Sequence, residues 1–94
     1  MDGDEEIFRP DRIKMKIKVI AFGIAKEILQ SKQMEIELNQ GDTISSLRQI
    51  LLQRHPEFTK LKSLSFAVGV NYQGDSYALN ENDEVVIIPP VSGG

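Results

Sequence analysis

Glu84-Val85-Val86-Ile87-Ile88-Pro89-Pro90 is the stretch whose reading decides the fold. Its consecutive β-branched residues favour an extended chain. They are apolar on both faces of the strand, as in a central strand, which puts it inside a sheet rather than at an edge. The two prolines end it, since neither has a backbone N–H to give to a ladder. The last strand of the chain is therefore a central one, and earlier strands must flank it.

Those strands are visible upstream. Ile13, Met15, Ile17, Val19 and Ala21 alternate with Lys14, Lys16 and Lys18, while Met34, Ile36 and Leu38 alternate with Glu35, Glu37 and Asn39. A period of two marks two half-buried strands. If they pair, the lysines face the glutamates, each pair contributing roughly a few tenths of a kcal/mol. That accounts for the lysine stripe without an anion-binding role. Between them, residues 23–31 read as a short helix with Ile24 and Ile28 on one face.

Gly41-Asp42-Thr43 opens the main helix, with Thr43 as N-cap and Asp42 near the positive helix end. Ile44, Leu47, Ile50 and Leu51 fall on one face, with Ser45, Ser46, Arg48 and Gln49 outside. Arg54 and His55 suit the negative end, and Pro56 stops the helix. His55 is the only histidine, and its position marks a helix-end residue rather than a catalytic one. Leu64, Phe66, Val68 and Val70, alternating with Ser65, Ala67 and Gly69, form a third strand. A turn at Gln73-Gly74-Asp75, a short edge segment at Tyr77-Ala78-Leu79 and a second turn at Asn80-Glu81-Asn82-Asp83 lead into the closing strand.

This order predicts an α+β fold. One main helix covers one face of a mixed sheet of about five strands, a short helix follows strand one, and the last strand lies beside the first. That is the β-grasp arrangement, as in ubiquitin. A split βαβ sandwich would need a second long helix, which residues 23–31 are too short to supply. The folded domain is expected over residues 13–88, between an acidic, mobile N-terminal extension (1–12) and a flexible Gly-Gly tail (89–94).

Composition narrows the function. Ninety-four residues suit one domain with a modest core and no deep catalytic cleft. With no cysteine and one histidine, neither a disulfide framework nor a metal site is expected. No apolar run reaches the ~20 residues of a membrane span. The first six residues are acidic where a secretory signal would be basic, so the expected address is cytoplasmic. The net charge of −3 sits in residues 1–12, which hold five acids against two bases; the remainder is balanced. Nothing resembles the basic footprint of a nucleic-acid binder.

The chain ends in Val91-Ser92-Gly93-Gly94. Glycine lacks a Cβ and fits narrow channels. Run extended, residues 89–94 carry the terminal carboxylate up to roughly 20 Å from the last strand. If the odd-numbered residues of strand one face the helix, Ile20 and Phe22 point to the open face of the sheet. One row of the last strand, Val86 with Ile88 or Val85 with Ile87, joins them, and Tyr72 extends the group. The result is an apolar patch at the root of the tail, of the kind that marks a partner surface. The competing reading is that the short helix, or Ile7 and Phe8 of the leader, covers it.

The ending Pro89-Pro90-Val91-Ser92-Gly93-Gly94 behind Asp83-Glu84-Val85-Val86-Ile87-Ile88 resembles that of the sulfur-carrier (small) subunit of molybdopterin synthase. Ile17-Lys18-Val19-Ile20-Ala21-Phe22-Gly23-Ile24-Ala25-Lys26-Glu27 is similar to that family's first strand and helix start, and Phe66-Ala67-Val68 with a following hairpin also matches. The likeness spans residues 13–94. It implies that an E1-like adenylating enzyme uses ATP to activate Gly94, and that sulfur replaces the adenylate as a thiocarboxylate. It further implies donation of that sulfur to cyclic pyranopterin monophosphate within a heterotetramer containing the large catalytic subunit. No cofactor is then bound; Gly94 itself carries the intermediates. Gly93 keeps the approach slim, Pro89, Pro90, Val91 and Ser92 steer the tail, and Phe22, Tyr72 and Ile88 match partner-facing positions. Catalytic residues of the transfer are expected on the large subunit, so this chain is a carrier rather than an enzyme. The chain departs from the family in having Ile88 where some members have an aromatic, and Gly23 where alanine is common. Other readings of a Gly-Gly end are a carrier for thiamine or tRNA thiolation, a protein modifier conjugated through Gly94, or an interaction domain with an inert tail.

Overall fold

The computed structural model describes residues 13–90. The expectations for residues 1–12, including Ile7 and Phe8, and for Val91, Ser92, Gly93 and Gly94 lie outside the described residues. Five strands form one sheet: β1 (Lys14–Ala21), β2 (Gln33–Asn39), β3 (Ser65–Val68), β4 (Asn71–Gln73) and β5 (Glu84–Ile88). Helix α1 (Gly23–Leu29) follows β1, and α2 (Ile44–Arg54) follows β2. The strand order is β2-β1-β5-β3-β4. As the run of β-branched residues requires, β5 is central, parallel to β1 and antiparallel to β3. This is the predicted β-grasp.

The period-two pattern of β1 translates directly into burial. Met15, Ile17, Val19 and Ala21 are buried against α2, together with Ile36 and Leu38 of β2, Phe66 of β3, and Val85 and Ile87 of β5. Ile44, Leu47 and Leu51 close this core from the helix side. The antiparallel register sets Lys16 opposite Glu37 and Lys18 opposite Glu35, as expected. The ion pair of Lys18 is made on its other side, however, to Glu84 of β5 at 3.6 Å.

Helix α2 is held at its start by groups from three places. Thr43 Oγ1 accepts the Ser46 N–H, and Ser46 Oγ accepts the Thr43 N–H, a reciprocal capping box. The Ile44 and Ser45 N–H groups donate to the carbonyls of Tyr77 and Asp75 at 3.0 Å each. The first three helical N–H groups, which no helix can satisfy by itself, are thus all paired. Asp42 turns instead to the preceding strand, its carboxylate accepting the Asn39 N–H at 2.9 Å.

Several local expectations are corrected. Helix α1 buries Ala25 and Leu29, while Ile24 is exposed and Ile28 half-buried. Gly23 opens α1 in the left-handed region (φ +55°), and the helix turns Ala25 and Leu29 to the core, with Ile28 packed at its border and Ile24 outside. Val70 is 93% exposed, because β3 ends at Val68 and Gly69 (φ +63°) turns the chain. The edge strand is therefore β4 at Asn71–Gln73, ahead of the turn expected at Gln73-Gly74-Asp75. Residues 77–79 contribute only a single bridge, between Ala78 and Thr43. Pro56 does end α2, but it also opens a 3-10 helix (Pro56–Lys60) that seats Phe58, 2% exposed, beneath the core. His55 caps α2 and meets the Phe58 ring edge-on at 6.2 Å.

Arg48, expected on the outer face of α2, is instead a three-way clasp. It donates to the Asp75 carboxylate (2.8 Å from Nη2), donates to the Leu64 carbonyl (2.8 Å) and lies 5.1 Å over the Phe66 ring. The guanidinium fork makes this possible, since it is flat, bears several donors and stacks on an aromatic face.

Thr43→Ala is expected to cost about 1 kcal/mol through loss of the cap. Phe58→Ala is expected to cost about 3–5 kcal/mol through the cavity it leaves. Urea denaturation followed by circular dichroism measures both; a Phe58→Ala midpoint equal to that of the parent would contradict the packing described.

Candidate functional site

The side of the sheet away from α2 carries the candidate site. The strand registers align Gln33, Ile20, Val86, Ala67 and Tyr72 as one row running across all five strands. Of the two possible rows of β5, Val86 and Ile88 therefore point to the open face, and Val85 and Ile87 to the core. Ile88 pairs with Ser65, and the parallel β1–β5 register, continued by one residue, sets Phe22 level with Ile88. Phe22 is 54% and Tyr72 68% exposed, whereas Ile20, Val86 and Ile88 are half-buried. Helix α1 leaves this patch uncovered. The half-buried Pro89 and Pro90 leave from its upper margin.

Two members of the patch escaped the sequence reading. Ala67 lies between Val86 and Tyr72 and forms a flat floor there. It was assigned to the polar positions of β3 because a small residue carries no strong hydropathy signal. Ile24, two residues beyond Phe22, adds exposed apolar surface at the same corner. Val70 lies elsewhere, at the end of β3 that pairs with the start of β5, remote from the tail root.

Further down the open face the character changes. Lys18, Glu35 and Glu84 form a charged row, and Lys16 with Glu37 a second. The surface around the tail root is thus apolar near Ile88 and ionic below. Such a layout lets a partner bury the apolar part while charges at its border fix orientation. Among the described residues, no group of three or more His, Asp or Glu side chains could hold a metal ion, and no helix is long and apolar enough to cross a membrane.

The ThiS family pattern matches residues 19–94, which take in the patch, β5 and the whole tail. The chain belongs to the ThiS family. Among curated relatives, the molybdopterin synthase sulfur carrier subunit of Chlamydomonas reinhardtii is 35% identical over 83 residues, covering 85% of this chain and 100% of the relative. That of Caenorhabditis briggsae is 31% identical over 83 residues, covering 85% of this chain and 99% of the relative. The crystal structure of SAMP1 from Haloferax volcanii superposes with a TM-score of 0.72 at 18% identity, covering 84% of this chain and 99% of that one. At that identity the likeness speaks for the shared fold alone.

Within this ThiS-family chain, Gly23 has a local reason. Its φ of +55° falls where a side chain strains the backbone, and an added Cβ would meet nothing within 4 Å. Phe22, the N-cap of α1, makes no side-chain cap hydrogen bond. Its ring is 54% exposed.

Gly23→Ala is expected to destabilise by about 1–2 kcal/mol, from backbone strain alone. Phe22→Asp and Tyr72→Ala are expected to change stability by less than about 0.5 kcal/mol, since both side chains are largely exposed. Thermal and urea unfolding test these values; a large loss for Phe22→Asp would make the residue structural.

Proposed function

We propose that this chain is the sulfur carrier of a molybdopterin synthase and that Gly94 is the atom-bearing end. The observation that carries the reading is the path of the last strand. It runs through the middle of the sheet and delivers Pro89 and Pro90 from the border of an exposed apolar patch. The names of the curated relatives support the same reading. The small archaeal modifier shares the fold, so the fold by itself does not separate a carrier from a modifier.

The chemistry starts from a carboxylate, which is a poor acyl electrophile. The Gly94 carboxylate attacks the α-phosphate of ATP on an E1-like adenylating enzyme, forming an acyl adenylate and releasing pyrophosphate. A sulfur nucleophile adds to the acyl carbon and AMP leaves. With a persulfide as donor the product is an acyl disulfide; a thiol attacks the donor-side sulfur, the S–S bond breaks, the donor leaves as a disulfide, and the tail ends in a thiocarboxylate. In this way a chain without cysteine carries sulfur. In the active site of the large subunit the thiocarboxylate sulfur then attacks an oxygen-bearing side-chain carbon of cyclic pyranopterin monophosphate, forming a C–S bond as the C–O bond breaks and the oxygen leaves as phosphate ester or water. Hydrolysis of the resulting acyl link leaves sulfur on the pterin and restores the Gly94 carboxylate. A dithiolene holds two sulfurs, so two loaded carriers serve each product, in keeping with a heterotetramer.

The roles of this chain's residues follow. Gly93 and Gly94 allow entry to a narrow channel. Pro89 and Pro90 hold the tail away from the sheet, because they cannot extend its ladder, and Val91 and Ser92 continue the reach. Phe22, Tyr72 and Ile88, over the Ala67 floor, form the docking patch. Acid–base groups for the transfer are supplied by the large subunit.

Deleting Gly94 is expected to abolish sulfur loading while leaving the unfolding midpoint unchanged. Intact-mass measurement after incubation with the adenylating enzyme, ATP and a sulfur donor reads the exchange of one oxygen for sulfur in the parent chain. Isopeptide-linked remnants on lysines of other proteins would point to a modifier instead. Phe22→Asp is expected to weaken capture of the large subunit by at least about tenfold, by placing an unpaired charge in an apolar contact. Equal affinity would remove Phe22 from the docking patch.

A further inference from the structure

The outer edge of β2 is open over a short, defined length. Gln40 donates its N–H to the Ile13 carbonyl at 2.7 Å, and Ala21 donates to the Lys32 carbonyl at 2.9 Å. Even-numbered residues along β2 therefore turn their backbone groups toward β1. The odd-numbered ones, Gln33, Glu35, Glu37 and Asn39, turn theirs outward. Both ends of this outward row are closed by the chain itself. Ser31 Oγ accepts the Gln33 N–H at 3.3 Å and donates to the Gln33 carbonyl at 2.7 Å. At the other end, the Asp42 carboxylate accepts the Asn39 N–H, and the Asp42 N–H donates to the Asn39 carbonyl, both at 2.9 Å. Between these closures, Glu35 and Glu37 present two N–H and two C=O groups with no partner among the described residues.

Charge identifies what fits. Glu35 and Glu37 are exposed, and neither carboxylate makes an ion pair among the described residues, since Lys18 bridges to Glu84. On the inner side, β1 already shows the matching pattern, with Lys16 and Lys18 directly opposite Glu37 and Glu35. A second copy of this chain is disfavoured at the same edge. Every antiparallel register that pairs the window with itself puts glutamate opposite glutamate, which is unfavourable and serves to keep copies apart. We propose that the Glu35–Glu37 window of β2 adds an extended segment of a partner protein in which lysine or arginine alternates with apolar residues. Main-chain hydrogen bonds hold such a segment and the alternating cations select it. The four available backbone groups match an added strand of about four or five residues. The edge lies across β1 from β5, so a segment bound there leaves the tail root clear.

The test uses the full chain labelled with nitrogen-15. It is titrated with a blocked heptapeptide of alternating valine and lysine, and in parallel with its valine–glutamate counterpart. The lysine peptide is expected to shift the Glu35 and Glu37 amides and to slow their hydrogen exchange by about tenfold or more, less so as salt is raised. The glutamate peptide is expected to leave them unchanged. In the double variant Glu35→Lys with Glu37→Lys the preference should invert, while the remaining spectrum reports an intact fold. Four results would each overturn the proposal: no protection by the lysine peptide, equal protection by both peptides, shifts centred on Phe22 and Tyr72, or concentration-dependent shifts of the same amides without peptide.

Discussion

The parallel pairing of β1 with β5 is the constraint on which the rest of the structure depends. It joins Lys18 to Glu84 and Ala21 to Ile87 in register, so the two ends of the folded domain lie side by side in the middle of the sheet. Parallel neighbours cannot be joined by a tight turn, and the chain between them must cross over. Helix α2 fills that crossover and supplies the lid of the core. On the other face nothing in the crossover returns, and the row from Ile20 to Tyr72 stays open. The same pairing thus creates both the core and the exposed apolar patch, and it sets Pro89 and Pro90 at the border of that patch.

The helix is kept in place by its buried Ile44, Leu47 and Leu51 and, at its start, by the segment after β4. The carbonyls of Asp75 and Tyr77 receive its first N–H groups, and the Asp75 carboxylate holds Arg48 over Phe66. That segment also follows the strand that presents Tyr72. Packing on the helix side and presentation on the open side are therefore linked through one short stretch of chain. The β1–α1 corner shows the reverse arrangement. Gly23 takes a backbone angle that favours glycine, and the carbonyl of Phe22 accepts the Ala25 N–H at 3.1 Å. The corner leaves the Phe22 ring 54% exposed on the open face of the sheet.

Strands with strict alternation were legible from the sequence, as were the capped helix and the central position of the closing strand. In each case, many residues repeat one signal. What failed was single residues deciding a local matter. Helix α1 turns Ala25 and Leu29 to the core and leaves Ile24 exposed, and a left-handed Gly69 follows the early end of β3, so that the edge strand lies at Asn71–Gln73. Arg48 reads as a surface residue by charge, and only the arrival of Asp75, Leu64 and Phe66 from distant segments makes it a clasp. Of the candidate site, Phe22 and Ile88 lie level with each other on the open face, and Tyr72 lies on the same face at the β4 edge, across Ala67 from Val86. Ala67 stayed hidden because smallness carries no pattern. The edge window at Glu35 and Glu37 required knowledge of which backbone groups face outward, which depends on register and not on residue type.

Placing the final strand at the centre has a consequence for synthesis. Until β5 arrives, the β1–β2 pair and the β3–β4 pair share no ladder, because each touches only β5. A chain still lacking residues 84–88 therefore holds two separate two-stranded pieces, and the sheet becomes continuous only when β5 joins them.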